Sequence, residues 1–156
     1  MILTVEALRN LKKMTLGNQF KPLPVDDGDE LFPNGIFEFN ISKLTAFIQS
    51  NPGQFFPEEV EVQSLHKFTA NNLNELTIKA ANLSEPIILA EISPGRFNVI
   101  DGHHRLEKAY RNDVSKISAY RVYANQHLAF LTSVRAYSAY LEYWNLKVDD
   151  FYRHEQ

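Results

Sequence analysis

Apolar residues recur along this chain at two spacings, about 3.6 and 2, and the changes from one to the other mark its elements. Val5, Leu8 and Leu11 share a helical face behind Thr4 as a cap and ahead of Gly17 as a stop, which predicts a helix over Val5 to Leu16. Periodicity then lapses. Pro22, Pro24, Asp26, Asp27, Gly28, Asp29, Pro33 and Asn34 punctuate residues 18–35, which read as an acidic surface loop. Ile36 to Ile41 alternates in part and reads as a strand, and Ser42 starts a helix through Leu44, Phe47 and Ile48 that Asn51-Pro52-Gly53 ends.

Downstream the pattern is sharper. Leu73, Leu76, Ala80 and Leu83 have helical spacing, and Pro86 to Ala90 is a short buried strand. Pro94-Gly95 turns the chain into a returning strand, Phe97 to Ile100. Asp101-Gly102 breaks that strand before a helix with Leu106, Ala109 and Tyr110 inward, and a last strand spans Ile117 to Tyr123. From Gln126 to Leu146, the residues Leu128, Leu131, Val134, Leu141 and Trp144 define one amphipathic helix, roughly 30 Å long at 1.5 Å per residue, packed across the sheet. Its Tyr137, Tyr140 and Tyr143 are expected in the core. The expected fold is a single α+β domain, a small mixed sheet with packed helices. Its core covers about 36–123, an N-terminal helix and acidic loop cover 1–35, and a C-terminal helical extension covers 124–156.

Composition adds mainly exclusions. The chain has 156 residues, 44% hydrophobic and 22% charged, enough for a real core without a disulfide or structural metal. It has no cysteine, which excludes thiol catalysis and Cys-based zinc sites. The start lacks a leader pattern and no apolar run approaches the roughly 20 residues of a membrane span, so a cytoplasmic protein is expected. A net charge of -3 argues against a dedicated nucleic-acid binder.

Chemistry concentrates at Asp101-Gly102-His103-His104-Arg105. A helix start presents unpaired N–H groups and the positive end of the helix dipole, so an anion is stabilised there. Gly102 would let it approach, Arg105 would fork onto phosphate oxygens, and His103 and His104 would add adjustable donors. Locally Arg96, Arg105, Lys108, Arg111, Lys116 and Arg121 outweigh Asp101, Glu107 and Asp113. A purely structural account also exists, with Asp101 capping, Gly102 turning and both histidines solvated. No His-x-x-x-His pair exists to hold a transition metal. Mg²⁺ carried by ligand phosphates and held by Asp101, Glu38, Glu58 or Glu59 fits better.

The run Phe97-Asn98-Val99-Ile100-Asp101-Gly102-His103-His104-Arg105, between the strands at Ile87 and Ile117, resembles the G-x-x-R box of the ParB/sulfiredoxin superfamily. Asn51-Pro52-Gly53-Gln54 is similar to that family's N-P-x-Q element. The resemblance implies a nucleotide (ATP, ADP or CTP) with its phosphates at Gly102 to Arg105 and Gln54 nearby, in a superfamily whose members bind CTP, hydrolyse ATP, phosphorylate small substrates or are labelled nucleases. His103 stands where sulfiredoxins carry their reactive cysteine, so that activity is excluded. Phe56 and Glu107 replace two arginines of partition proteins, and about thirty residues after Tyr123 leave no helix-turn-helix, so sequence-specific DNA binding is not expected. Pro57-Glu58-Glu59 resembles the place from which free-serine kinases supply a catalytic glutamate, while by themselves these residues read as a helix start.

The leading expectation is a Mg²⁺-dependent nucleotide phosphotransferase or hydrolase in which Asp101, His104 and Glu58 are catalytic, with Asp101 or Glu59 near the ion. A non-catalytic nucleotide-sensing or partner-binding module and a nuclease or DNA-associated protein are the alternatives.

Overall fold

Isoleucines 87, 88 and 92 with Leu89 and Ala90 make a strand apolar on both faces, and the computed structural model, which describes residues 11–17, 19–35, 37–67 and 72–154, puts it inside the sheet. The elements in chain order are β1 (Leu31–Asn34), β2 (Phe37–Asn40), α1 (Ile41–Ser50), β3 (Glu58–Glu61), α2 (Val62–His66), α3 (Glu75–Ala80), β4 (Ile87–Ser93), β5 (Arg96–Asp101), α4 (His103–Arg111), β6 (Lys116–Val122), α5 (Ala124–His127), a 3₁₀ turn (Leu128–Phe130) and α6 (Val134–His154). Four strands form one sheet in the order β3-β6-β4-β5, and β1-β2 is a separate hairpin. β4 and β6 run parallel, while β3-β6 and β4-β5 are antiparallel.

The period of two sorts the strand residues into two layers. Ile87, Leu89, Val99, Ile117 and Ala119 face α4 through Leu106 and Ala109. Ile88, Ala90, Ile92, Ile100 and Val122 face the other way, onto Phe39, Leu44, Tyr140, Leu141, Trp144 and Val148. Burying a side chain of this size contributes roughly 1.5–3 kcal/mol, so the second, aromatic-rich layer dominates cohesion. This is an α+β fold with a long C-terminal helix across one sheet face.

Several expectations change. Residues 18–35 are not all loop, because β1 lies within them and pairs with β2 about Asn34-Gly35. Pro33 is tolerated in a two-stranded ribbon, where a missing N–H costs no second ladder. Pro57-Glu58-Glu59 does not start a helix: Glu58 opens β3, an edge strand paired with β6, and its glutamates face solvent. The helix expected from Leu73 to Leu83 spans only α3 and buries Ile78, while Leu76 is 78% exposed. The single helix expected from Gln126 is broken, because Leu131 bridges to Phe39 and the Ser133 hydroxyl accepts from Ala136 N–H to begin α6 anew. Tyr140 is buried as expected, whereas Tyr143 and Tyr110 are exposed, Tyr110 lying flat on His66 at 3.5 Å between ring centroids.

The helix expected over Val5 to Leu16 falls partly outside the described residues. The described part, Leu11 to Gly17, is not helical. It runs along α6, held by side chains of that helix. Among the described residues no helix is long and apolar enough to cross a membrane.

Candidate functional site at the start of α4

The turn from β5 into α4 is made by Gly102 at φ +98°, a left-handed conformation that favours glycine. A Cβ there would lie 2.4 Å from Ile87 Cγ2 and 3.2 Å from Ile87 Cα. The glycine therefore serves the close approach of the turn to β4, rather than an opening for an anion. Leu106 N–H donates to the Gly102 carbonyl at 2.9 Å as the first helical bond, and among the described residues no side chain caps the helix. The N–H groups of His103, His104 and Arg105 are thus left without partners inside the helix.

These groups open into a cleft of about 500 Å³ walled by Glu30 and Phe32 from the hairpin side, by Leu73, Thr77, Ala81 and Asn82 around α3, and by Asp101 to Arg105. A cavity of this size suits a ligand as large as a mononucleotide. Glu30 arrives through local chemistry. Asp26-Asp27-Gly28-Asp29 turns on itself, Asp29 accepts from Asn40 Nδ2 at 2.9 Å, Asn40 caps α1 by accepting from Lys43 N–H, and the Glu30 N–H donates to Ser42 Oγ at 2.8 Å. The Asn40 bond, first among several, holds the Asp29 carboxyl below its ordinary range.

Electrostatics in the cleft differ from the simple basic site expected. Arg105 is turned to the protein: Nη1 donates to the Pro86 carbonyl at 2.8 Å and to Glu85 O at 3.2 Å, and Nη2 pairs with Asp101 at 3.0 Å. Its guanidinium orders the strand entry into β4 and neutralises Asp101. Glu30 has no ion pair among the described residues, and burial first, then the neighbouring Asp101, raises its carboxyl pKa. His104 Nε2 accepts from Asn74 N–H at 3.2 Å, which puts the ring proton on Nδ1. His103 stacks on Phe32 with centroids 5.1 Å apart, and among the described residues neither ring nitrogen meets a hydrogen-bond partner. Burial pushes the His103 pKa down against the opposing pull of Val99 and Asp101, so the ring is neutral at neutral pH.

The fold thus gathers Asp101, Gly102, His103, His104 and Arg105 and leaves other expected site residues apart. Glu58 pairs with Arg121 on the exposed β3-β6 edge, Glu59 stands beside it, Gln54 is exposed in the turn after α1, and Glu38 accepts from Thr132 Oγ1 at 2.7 Å. None of the four lines the cleft. The local excess of basic residues is spent internally too: Lys108 donates to the carbonyls of Lys79 and Ala81 at 2.8 and 2.7 Å, Arg111 clasps Glu75, and Arg121 pairs with Glu58. Glu30, Phe32, Thr77, Asn82 and Glu85 are among the lining residues that the sequence pattern does not single out. The dipeptide Asn34-Gly35 between apolar runs is the hairpin signal that points to the first two.

A sequence profile described as the ParB N-terminal domain matches residues 57–133. The chain carries a ParB-like domain. The match spans β3 through the 3₁₀ turn and Ser133, so it includes the whole four-stranded sheet, the Gly102 turn and α4 of that ParB-like domain. No curated protein and no solved structure matches the chain.

Proposed function

We propose that this ParB-like domain binds a nucleotide as its Mg²⁺ complex in the cleft at the start of α4. The observation that carries the reading is the uncapped N-terminus of α4 facing Glu30 and Asp101 across one cavity. Backbone N–H groups favour phosphate oxygens, whereas the Glu30 carboxylate, which has no ion pair among the described residues, repels them. A divalent cation shared between phosphate and carboxylate resolves that conflict, and Mg²⁺ ordinarily needs only one or two protein carboxylates beside its phosphates and waters. Bound there, Mg²⁺ would offset phosphate charge.

In this reading the protein's own groups divide the work. The His103 to Arg105 N–H groups hold the phosphate, and Nδ1–H of His104 adds a donor. Arg105 acts through Asp101, which it orients. Glu30, its pKa raised by burial and by the neighbouring Asp101, is better placed than Glu58 to take a proton from an attacking hydroxyl or water.

Calorimetric titration with ATP, ADP, CTP and GTP, each with and without Mg²⁺, tests the reading. Saturable binding that depends on Mg²⁺ is expected, with Glu30→Gln weakening the Mg²⁺ complex by about tenfold or more, some 1.4 kcal/mol. If none of the four nucleotides binds the folded protein, the proposal fails. Because Arg105 and the expected catalytic Glu58 are both engaged within the protein, a second reading stands beside it, a nucleotide-sensing module. It is distinguished by binding without phosphate release in the wild-type protein.

A further inference from the structure

Strand register sets three side chains abreast at one end of the sheet. Tyr120 on β6 is level with Ile88 on β4, and Ile88 is level with Asp101 on β5. Paired residues share a sheet face, so this row belongs to the face that packs on α1. Over the row α1 sets Thr45, Ile48 and Gln49, whose spacing puts them on one side of the helix. Row and helix enclose a second cavity of about 270 Å³, which meets the larger cleft at Glu85, Asp101 and Arg105 and shares no other lining residue with it. The Asp101–Arg105 ion pair is thus a partition with a chamber on either side.

The charged groups of that partition are already engaged. Arg105 gives Nη1 to the carbonyls of Glu85 and Pro86 and Nη2 to Asp101. An anion entering from the α1 side would meet two carboxylates and no uncommitted cation among the lining residues. A cation would find Asp101 neutralised and Glu85, 3.7 Å from Arg105, largely in solvent. What the cavity offers a guest is neutral: the hydroxyls of Thr45 and Tyr120 and the Gln49 amide, none of which forms a hydrogen bond to another described residue. Each of these groups can donate and accept. Thr45 and Tyr120 are half-buried, so their hydroxyls lack a protein partner where water is partly screened off. Ile48, Pro86 and Ile88 supply apolar wall between the polar groups.

We infer that this second cavity binds a small neutral polyol, its hydroxyls answered by Thr45, Gln49 and Tyr120 and its carbon chain lying on Ile48 and Ile88. Size points the same way, because pockets for drug-sized ligands span roughly 300–1,000 Å³ and this one is smaller. The site stands without the nucleotide reading, since none of its three neutral groups lines the larger cleft. With both chambers filled, the partition makes the two ligands neighbours.

The full chain, isotope-labelled for amide NMR, is titrated with glycerol, erythritol and ribitol, and with lactate and ethanolamine as charged counterparts. Saturable shifts confined to the Thr45–Gln49 turn of α1 and to Tyr120 are expected with at least one polyol, half-complete at roughly millimolar concentration. Tyr120→Phe and Thr45→Val each remove a hydroxyl and keep the shape. Each should weaken binding by about three- to tenfold, the effect of one neutral hydrogen bond, with the amide spectrum elsewhere unchanged as the sign of an intact fold. Glu30 lines only the larger cleft, so Glu30→Gln should weaken the nucleotide and leave the polyol untouched. Polyol binding without nucleotide binding would sink the nucleotide reading alone. Shifts that rise linearly with every polyol, binding indifferent to both hydroxyls, tighter binding of lactate or ethanolamine, or polyol binding lost in Glu30→Gln would each overturn the inference.

Discussion

Two helical layers cover the sheet, and they are held by different forces. On one face α6 buries Tyr140, Leu141, Trp144 and Val148 against an apolar layer that also takes in Phe39 and Leu44. On the other, α4 packs through Leu106 and Ala109, and the cleft wall it supports, α3, buries Ile78 alone. That wall is tied down by polar groups from one stripe of α4: His104 to Asn74, Lys108 to the carbonyls ending α3, and Arg111 to Glu75. A ligand-facing wall with little apolar burial belongs to the low-stability end of a fold, where opening costs least. The aromatic layer keeps the molecule folded, and the tethered layer is free to adjust.

Trp144→Ala is the strongest test of that contrast. It removes the largest fully buried side chain together with its bond to Lys12 O, and a loss of about 3–5 kcal/mol in urea unfolding is expected. A loss below about 1 kcal/mol would show that α6 is not the main source of cohesion.

Acid should strike the same layer. His127 is fully buried, donates from Nε2 to the Glu91 carbonyl at 2.7 Å, and has its pKa pushed down to about 4 by burial. The folded state therefore binds its proton only at lower pH than the unfolded chain does. Stability from the neutral ring is complete above pH 6.5 and declines as pH falls towards 4, by on the order of 3 kcal/mol. The half-buried His103, also shifted down, adds in the same direction. His127→Leu should flatten most of the fall in melting temperature between pH 6.5 and 4, and an unchanged slope would place the acid sensitivity elsewhere.

Gly102→Ala probes the junction between the layers. The left-handed backbone and the clash with Ile87 predict about 2–3 kcal/mol of destabilisation in chemical denaturation. A neutral effect would mean that the turn has room to relax away from β4.

The smallest expected effect lies in the tethered wall. Lys108→Met removes two bonds to the end of α3 and should lower global stability by only about 0.5–1.5 kcal/mol, while amide exchange in Glu75–Ala80 rises ahead of that in β4. Uniform acceleration across both elements would erase the distinction between the layers.

What could be read in advance was whatever neighbouring residues decide together. The β4 turn β5, the break at Asp101-Gly102, α4 and β6 follow from local alternation, turn dipeptides and helical spacing, and each strand residue faces the layer its parity predicts. The family resemblance rested on that same contiguous run and is upheld by the match over residues 57–133. β1 was hidden because Pro33 and the acidic run before it outweighed the Asn34-Gly35 signal, and with β1 went Glu30 and Phe32. Leu128 and Leu131 keep helical spacing, yet Leu131 bridges to Phe39, so the long final helix begins only at Val134.

Partner choice was decided in three dimensions. Arg105 is chemically suited to phosphate, but the fold sets Asp101 and the carbonyls of Glu85 and Pro86 within its reach. Glu58 carries the right group for catalysis, but sheet order puts it on an outer edge with Arg121. Glu30 read as one more loop acid until the hairpin brought it to Asp101. Local pattern specifies helix, strand and turn because those depend on backbone geometry and on which side chains lie within a few positions. Charge pairing and desolvation fall off over a few ångströms of space, whatever the separation along the chain, so they are settled only when the layers close.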